Sequence, residues 1–382
     1  MRVAIAGAGI GGLTAALAFA RQGAEVNVYE ASPELGEVGA GIQLSPNAMK
    51  ALASLGVDGE IEEIGFAPNT AAIRHWRTNQ LHLSVPLSDA AAARWGAPYL
   101  QVHRADLHSV LSASVTELGA KIHLASPITE VQANEASVVH DHGEADLLIG
   151  ADGLRSRLRE VLNGPEAPRY TGQTAWRALV TATPELDRLI PRDATVWAGP
   201  GAHVVAYYLR GGSLINLVAV EEVAGCREES WTREGDPAQL RETFRDWAEP
   251  VTMLLDAVES ANIWALYDRP RQPSWTSDRI ALLGDAVHPM LPFLAQGAAQ
   301  AIEDAVTLAH FSSRLDLGEA LQKYENLRKP RATMVQRRAR ANAGLFHRST
   351  AIDCLKLAVA GALPQSIAYR QFDPIYGYDP PS

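Results

Sequence analysis

Residues 2–6 (RVAIA) are a short apolar run, and residues 13–23 (LTAALAFARQG) are rich in alanine and leucine and stop at Gly23. Lengths and punctuation predict a strand followed by a helix. In EVNVYE, Val26 and Val28 alternate with polar positions, which predicts a second strand. Strand, helix and strand within about 30 residues make a βαβ unit, the usual start of a doubly wound sheet. SPNAMKALASLG predicts a further helix, with Ser45 as N-cap, Pro46 in the first turn and Gly56 as stop.

Residues 72–100 read as strands and loops, and HRADLHSVLSASVTELG as a helix opening near Arg104. KIHLASPITEVQ and ASVVHDHGEADLLIGADG read as strands, the last a buried run ending in a turn. From 168 to 275 the texture changes to short β-rich runs, TAWRALVTAT, HVVAYYL and SLINLVAVEE, with LRGGS as a hairpin turn. This predicts a separate antiparallel sheet. Helical patterns dominate 236–258 and 296–363. The expected architecture is α/β: a Rossmann-like nucleotide-binding domain in two pieces, 1–167 and 276–382 with C-terminal helices, around an inserted antiparallel β-sheet substrate domain at 168–275.

Composition narrows the function classes. A net charge of −10 argues against nucleic acid and anionic membrane as partners. Two cysteines, Cys226 and Cys354, are too few for a disulfide framework, and without a C-x-x-C pair no metal site is expected; a reducing, cytoplasmic setting is the default. The first twenty residues also have the make-up of a secretory signal, but their glycine spacing fits a nucleotide site better. CLKLAVAGAL is too short to span a bilayer and reads as a packed or subunit-facing helix.

Three motifs carry the chemistry. Gly7-x-Gly9-x-x-Gly12 lies between strand and helix. The glycines permit a tight turn, a close approach of pyrophosphate to backbone, and close helix–strand packing. Glu30 ends the second strand, where a carboxylate can accept from a ribose diol. The motif alone does not separate NAD from FAD. Asp152-Gly153 follows a buried strand and precedes Arg155, Arg157 and Arg159, which read as a solvated helix face. Gly284-Asp285 ends the strand RIALL. A carboxylate there needs a polar partner; a ribityl chain is suitable, and FAD has one where NAD has none. Gly297 opens the following helix, whose N-terminus can stabilise negative charge on a reduced flavin.

In this order the motifs resemble the single-component FAD-dependent aromatic hydroxylases, the para-hydroxybenzoate hydroxylase superfamily. VGAGIQLSPNAMKAL, HRADLH and IYGYD make the chain most similar to its salicylate hydroxylase, 3-hydroxybenzoate 6-hydroxylase and 6-hydroxynicotinate 3-monooxygenase branches. The resemblance covers nearly the whole chain. It implies tightly bound FAD, NADH or NADPH as a transient co-substrate, O2, and a small aromatic acid hydroxylated through a flavin hydroperoxide, with CO2 lost where the attacked carbon carries the carboxylate. It leaves a homodimer open. By resemblance, Gly12 and Glu30 bind the adenosine half, Ile128 packs near the adenine, Arg104 contacts pyrophosphate or ribityl, Gln43 lies beside the flavin ring and Asp285 holds the ribityl chain. His203 and Tyr207, four apart on a strand and so on one face about 13 Å apart, line the substrate pocket, His203 as phenol base and Tyr207 as positioner or proton relay. Pro292 stands where the 6-hydroxylase branch has glutamine, which favours the other two branches. An FAD oxidase or dehydrogenase of the same fold, or a non-catalytic flavin-binding protein, are the alternative readings.

Overall fold

Strand β1 (Arg2–Ala6), buried from Val3 onward, lies between two parallel neighbours, β2 (Glu25–Tyr29) and a later strand at Leu147–Gly150. The computed structural model describes residues 1–36, 40–134, 136–223, 233–347 and 369–382. Helix α1 (Ile10–Arg21) is buried along Ile10 and Gly12–Phe19, so its alanine-rich face is covered on nearly every side. Gly7 and Gly12 explain how close it comes to the sheet. A Cβ on Gly12 would lie 2.0 Å from the Gly7 carbonyl oxygen, and one on Gly7, at φ +101°, would lie 2.4 Å from that of Ala151.

Next come β3 (Gly41–Leu44), α2 (Pro46–Ser54), α3 (Asp58–Ile64), β4 (Thr70–His75), β5 (Leu81–Pro86), α4 (Ser88–Trp95), β6 (Leu100–His103) and α5 (Arg104–Glu117). Strand β7 (Lys121–His123) closes one edge of the first sheet, β8 (Val131–Ala133), β9 (Val138–His140) and β10 (Gly143–Ala145) form a small meander, and β11 (Leu147–Gly150) is the neighbour of β1 already met. After α6 (Arg157–Asn163) come β12 (Arg169–Thr181), α7 (Pro184–Leu189), β13 (Ala194–Gly199), β14 (Ala202–Leu209), β15 (Leu214–Glu222), β16 (Glu234–Gly235), α8 (Pro237–Thr243), α9 (Glu249–Asp256) and β17 (Ala261–Asp268). The chain then returns to the first sheet through β18 (Thr276–Ser277) and β19 (Ile280–Leu282), and continues into α10 (Gly297–Ser312) and α11 (Leu317–Phe346). The first sheet runs β18-β19-β11-β1-β2-β7, parallel except at the β18 edge.

The second sheet runs β16-β17-β12-β15-β14-β13-β4-β5. The sequence predicts an antiparallel sheet from 168–275; β4 and β5 join it from upstream, and β4 pairs with β13 in parallel. Its two faces differ because strand side chains alternate. Trp176, Val204, Ala206, Tyr208 and Leu217 point into a core shared with the helices α7, α8 and α9. Arg177, His203, Val205, Tyr207 and Val218 point the other way, toward the first sheet.

Two local expectations change. Residues 88–95, within the stretch expected as strands and loops, are helix α4. Ser45 does not cap α2; its hydroxyl donates to Asn47 Oδ1 (2.7 Å). Helix α11 runs to Phe346, and Cys226, Cys354 and CLKLAVAGAL fall outside the described residues. Among the described residues, no helix is long and apolar enough to cross a membrane, and no group of His, Cys, Asp and Glu could hold a metal.

Candidate active site

A cleft of ≈ 660 Å³ separates the two sheets, within the range of small-molecule and cofactor sites. Gly9, Gln43, Arg104, Asp285 and Gly297 line it from the first sheet and its loops, and His203 and Tyr207 from the second. Seven of the eleven site residues expected from sequence thus meet at one cavity. Gly7, Gly12, Glu30 and Ile128 do not line it. Gly7 and Gly12 are the close-packed turn behind it, and Ile128 is a buried member of the first core.

At the glycine turn, a Cβ on Gly9 would meet nothing within 4 Å, so the backbone faces open cleft there, at the N-terminus of α1. That is the shape a pyrophosphate needs. Glu30 accepts from the Ala8 amide (2.7 Å) and the Ser32 amide (2.9 Å). Both bonds fix the carboxylate beside the turn, and each oxygen keeps a lone pair for a diol.

At the second turn, Asp285 is open to the cleft yet ringed by protein. Burial pushes its carboxyl above the usual range, against the pull of His288 and Arg104. It accepts no hydrogen bond from the described residues, so its oxygens are available to a hydroxyl-bearing ligand. The turn is held from behind. Asp304 of α10, fully buried, accepts from the Gly284 amide (3.0 Å) and bonds His288 Nε2 (2.5 Å). Arg328 of α11 reaches Asp304 through Nε (2.7 Å) and Glu303 through Nη1, and Arg331 Nε reaches Glu303 at 2.6 Å. Burial opposes ionisation of both carboxyls, but the arginines and His288 outweigh it and hold both below the usual range.

Gln43 sits on β3, where its Oε1 accepts from the Tyr99 hydroxyl (2.5 Å). Its neighbour Gly41 donates its amide to Asn216 Oδ1 of β15 (2.7 Å). These contacts tie β3, which pairs with β6, to the β-rich layer. Tyr207 lies against both; burial pushes its hydroxyl above the ordinary phenol value, opposed by Arg177 and by a bond to Gln43. His203 packs among Phe293, Phe346 and His347. Burial and the His347 ring hold its imidazole well below the usual value, so it is neutral near pH 7.

The Asp152-Gly153 turn needs a correction. Asp152 Oδ2 accepts from the amides of Arg157 (2.7 Å) and Leu158 (3.1 Å), and Ser156 caps α6 through the Arg159 amide (2.9 Å). Arg159 is not on a solvated face: it is 1% exposed, donating to the carbonyls of Ala286 (3.0 Å) and Leu154 (2.9 Å). It therefore braces the Asp285 turn. Arg177, His347, Tyr99 and Asn216 were missed, because only pairing across distant segments brings them here.

The chain belongs to the FAD binding domain family, which it matches over residues 1–339, and FAD is its cofactor. The 6-hydroxynicotinate 3-monooxygenase of Pseudomonas fluorescens is 37% identical, with 90% of this chain and 91% of that protein covered. The 3-hydroxybenzoate 6-hydroxylase 1 of Aquipseudomonas alcaligenes is 34% identical over 98% of this chain and 97% of its own length. Among solved structures, Klebsiella pneumoniae HpxO complexed with FAD and uric acid matches at a TM-score of 0.86 and 27% identity, covering 100% of this chain and 97% of that one. A salicylate hydroxylase substrate complex shares the fold at a TM-score of 0.83 and 24% identity.

Proposed function

We propose that the chain is an NAD(P)H-dependent monooxygenase that hydroxylates a phenolic aromatic acid in this cleft. The observation that carries the reading is the convergence of His203 and Tyr207, from the β-rich face, on the cavity that Gly9, Asp285 and Gly297 line from the nucleotide-binding side. The relatives named for hydroxynicotinate and hydroxybenzoate support the substrate class.

The residues present fit FAD: open backbone at Gly9, a Glu30 carboxylate fixed beside the glycine turn, and an Asp285 carboxylate that accepts no hydrogen bond from the described residues. When bound and reduced by NADH or NADPH, the flavin supplies activated oxygen. The protein does the rest. Gly9 and the α1 N-terminus take the pyrophosphate, Glu30 the ribose, Ile128 the adenine side, Arg104 and Asp285 the ribityl region, and Gln43 flanks the ring. Gly297 opens α10 at the cleft, where the partial positive charge of a helix N-terminus favours an anionic ring. Val205, Val218 and Phe293 keep the substrate end dry, which protects reactive oxygen from water. His203 takes the phenol proton at Nε2, making the ring the stronger phenolate nucleophile, and Tyr207 orients it.

Pro292 favours salicylate-like or hydroxynicotinate-like chemistry, with decarboxylation where the attacked carbon bears the carboxylate. The segments 1–167, 168–275 and 276–382, a cytoplasmic setting and a homodimer belong to the same reading. The test is a screen of hydroxybenzoates, salicylate and hydroxypyridine carboxylates for stimulated NADH oxidation. An FAD oxidase would turn over without pyridine nucleotide, and a flavin-binding protein would show no stimulation.

A further inference from the structure

Three aligned side chains connect the interior of the cleft to its outer surface. His203 Nδ1 lies 2.7 Å from His347 Nε2, and His347 Nδ1 lies 2.8 Å from Glu222 Oε1. His203 is 1% exposed, the His347 side chain 4%, and the Glu222 side chain 57%. The first residue lines the cavity, the second follows α11, and the third ends β15 at the rim.

The partners fix the tautomers. A carboxylate only accepts, so when the rings are neutral His347 carries its proton on Nδ1 and presents a bare Nε2. His203 must then carry its proton on Nδ1, which leaves Nε2 as a lone pair toward the cleft. Gln173 Nε2 also approaches His347 Nδ1, at 3.3 Å, but the carboxylate is closer and charged. Phe293 and Phe346 pack on His203, and no carboxylate among the described residues bonds it, so burial disfavours a cation there. A proton taken at Nε2 cannot stay on His203; it must be passed to where water stabilises charge.

We propose that His347 and Glu222 are relay residues that carry the phenol proton from His203, inside the cleft, to bulk water. The inference rests on the phenolic-acid reading above. The bonds balance as a chain of hops. The substrate O–H breaks as His203 Nε2–H forms; His203 Nδ1–H breaks as His347 Nε2–H forms; His347 Nδ1–H breaks as Glu222 Oε1–H forms; the carboxylic acid then loses its proton to water. No net charge remains on either imidazole. Run backwards, the same hops return a proton to the product phenolate and restore the resting tautomers.

The test uses the full FAD-loaded chain and follows proton release with a pH indicator on mixing with 6-hydroxynicotinate, salicylate or 3-hydroxybenzoate, alongside binding affinity and turnover. His347→Ala and Glu222→Gln should bind the acid and FAD as wild type does. Each should release the proton at least about tenfold more slowly. Added imidazole, which fits the space left by the His347 ring, should restore the rate in His347→Ala and not in Glu222→Gln. Glu222 is exposed, so its variant keeps the test sound even where His347→Ala fails to fold. Wild-type release rates in Glu222→Gln at low buffer concentration, or in a folded His347→Ala, would overturn the relay while leaving the hydroxylase reading intact. A wild-type protein that neither binds nor responds to any of the three acids would remove both.

Discussion

Gly41 and Tyr207 are packed so closely that no side chain fits between them: a Cβ on Gly41 would lie 2.4 Å from the Tyr207 ring and 2.6 Å from its hydroxyl oxygen. One residue belongs to β3, the other to β14 of the second sheet. Their contact sets the height of the cleft where the ring and the aromatic acid must meet. Gly41→Ala forces Tyr207 off its position while leaving the glycine turn untouched. The expected outcome is full FAD content with kcat/KM lower by about tenfold or more, measured by NADH oxidation with the best acid from the screen.

Asp285 lines the cleft and accepts no hydrogen bond from the described residues. Asp285→Ala should purify with little or no FAD, read from the ratio of flavin to protein absorbance. A fully loaded variant would contradict the ribityl assignment.

His203→Ala should lower kcat by about 10²–10⁴-fold with FAD content unchanged. The pH dependence follows from the depressed imidazole. The folded value lies below the free value of 6.5, so the base form is present throughout pH 6.5–8, and the acidic limb of kcat from this group falls well below 6.5. The same shift carries a stability cost: as pH drops below 6.5, the unfolded chain binds the proton first and the fold weakens until the depressed value is reached.

Arg328 is fully buried between Glu303 and Asp304. Arg328→Ala removes the cation the two carboxylates share, leaving Glu303 to Arg331 and Asp304 to His288, and should destabilise the fold by about 3 kcal/mol, the low end for a broken buried pair, measured by urea unfolding. Arg328 also anchors Asp304 to the Gly284 amide, so FAD affinity should fall with it. Both carboxyls sit below their free values of 4.5 and 3.8. Their contribution is present above those values and is lost as pH falls through the lower folded ones.

Much of this was legible in the sequence where the signal is local. The period of EVNVY, the glycine spacing and the strand ending in Gly284-Asp285 each declare their own structure. The alternation in HVVAYYL placed His203 and Tyr207 on one face, and the structure turns that face to the cleft. Pairings between remote segments left no local mark. Nothing near Thr70–His75 announces a parallel partner at Ala194–Gly199. Arg159 looks solvated until the Ala286 carbonyl arrives from the far end of the chain. His347 follows a helix whose pattern reads as ordinary packing, and only the sheet brings Glu222 and His203 to its two nitrogens. Helix α4 is the exception: its alanine run, SDAAAARW, is a strong local helix signal, and reading 72–100 as strands and loops undervalued that propensity.

On the proposed function, one cleft between the two sheets holds FAD against a phenolic acid, and oxygen is inserted into that acid there. The most direct measurement supplies the FAD-loaded chain with NADH, ¹⁸O2 and the acid that most stimulates NADH oxidation, and weighs the product. Incorporation of a single labelled oxygen atom is the predicted result. An unlabelled ring, with all the consumed oxygen recovered as hydrogen peroxide for every acid tried, would contradict it.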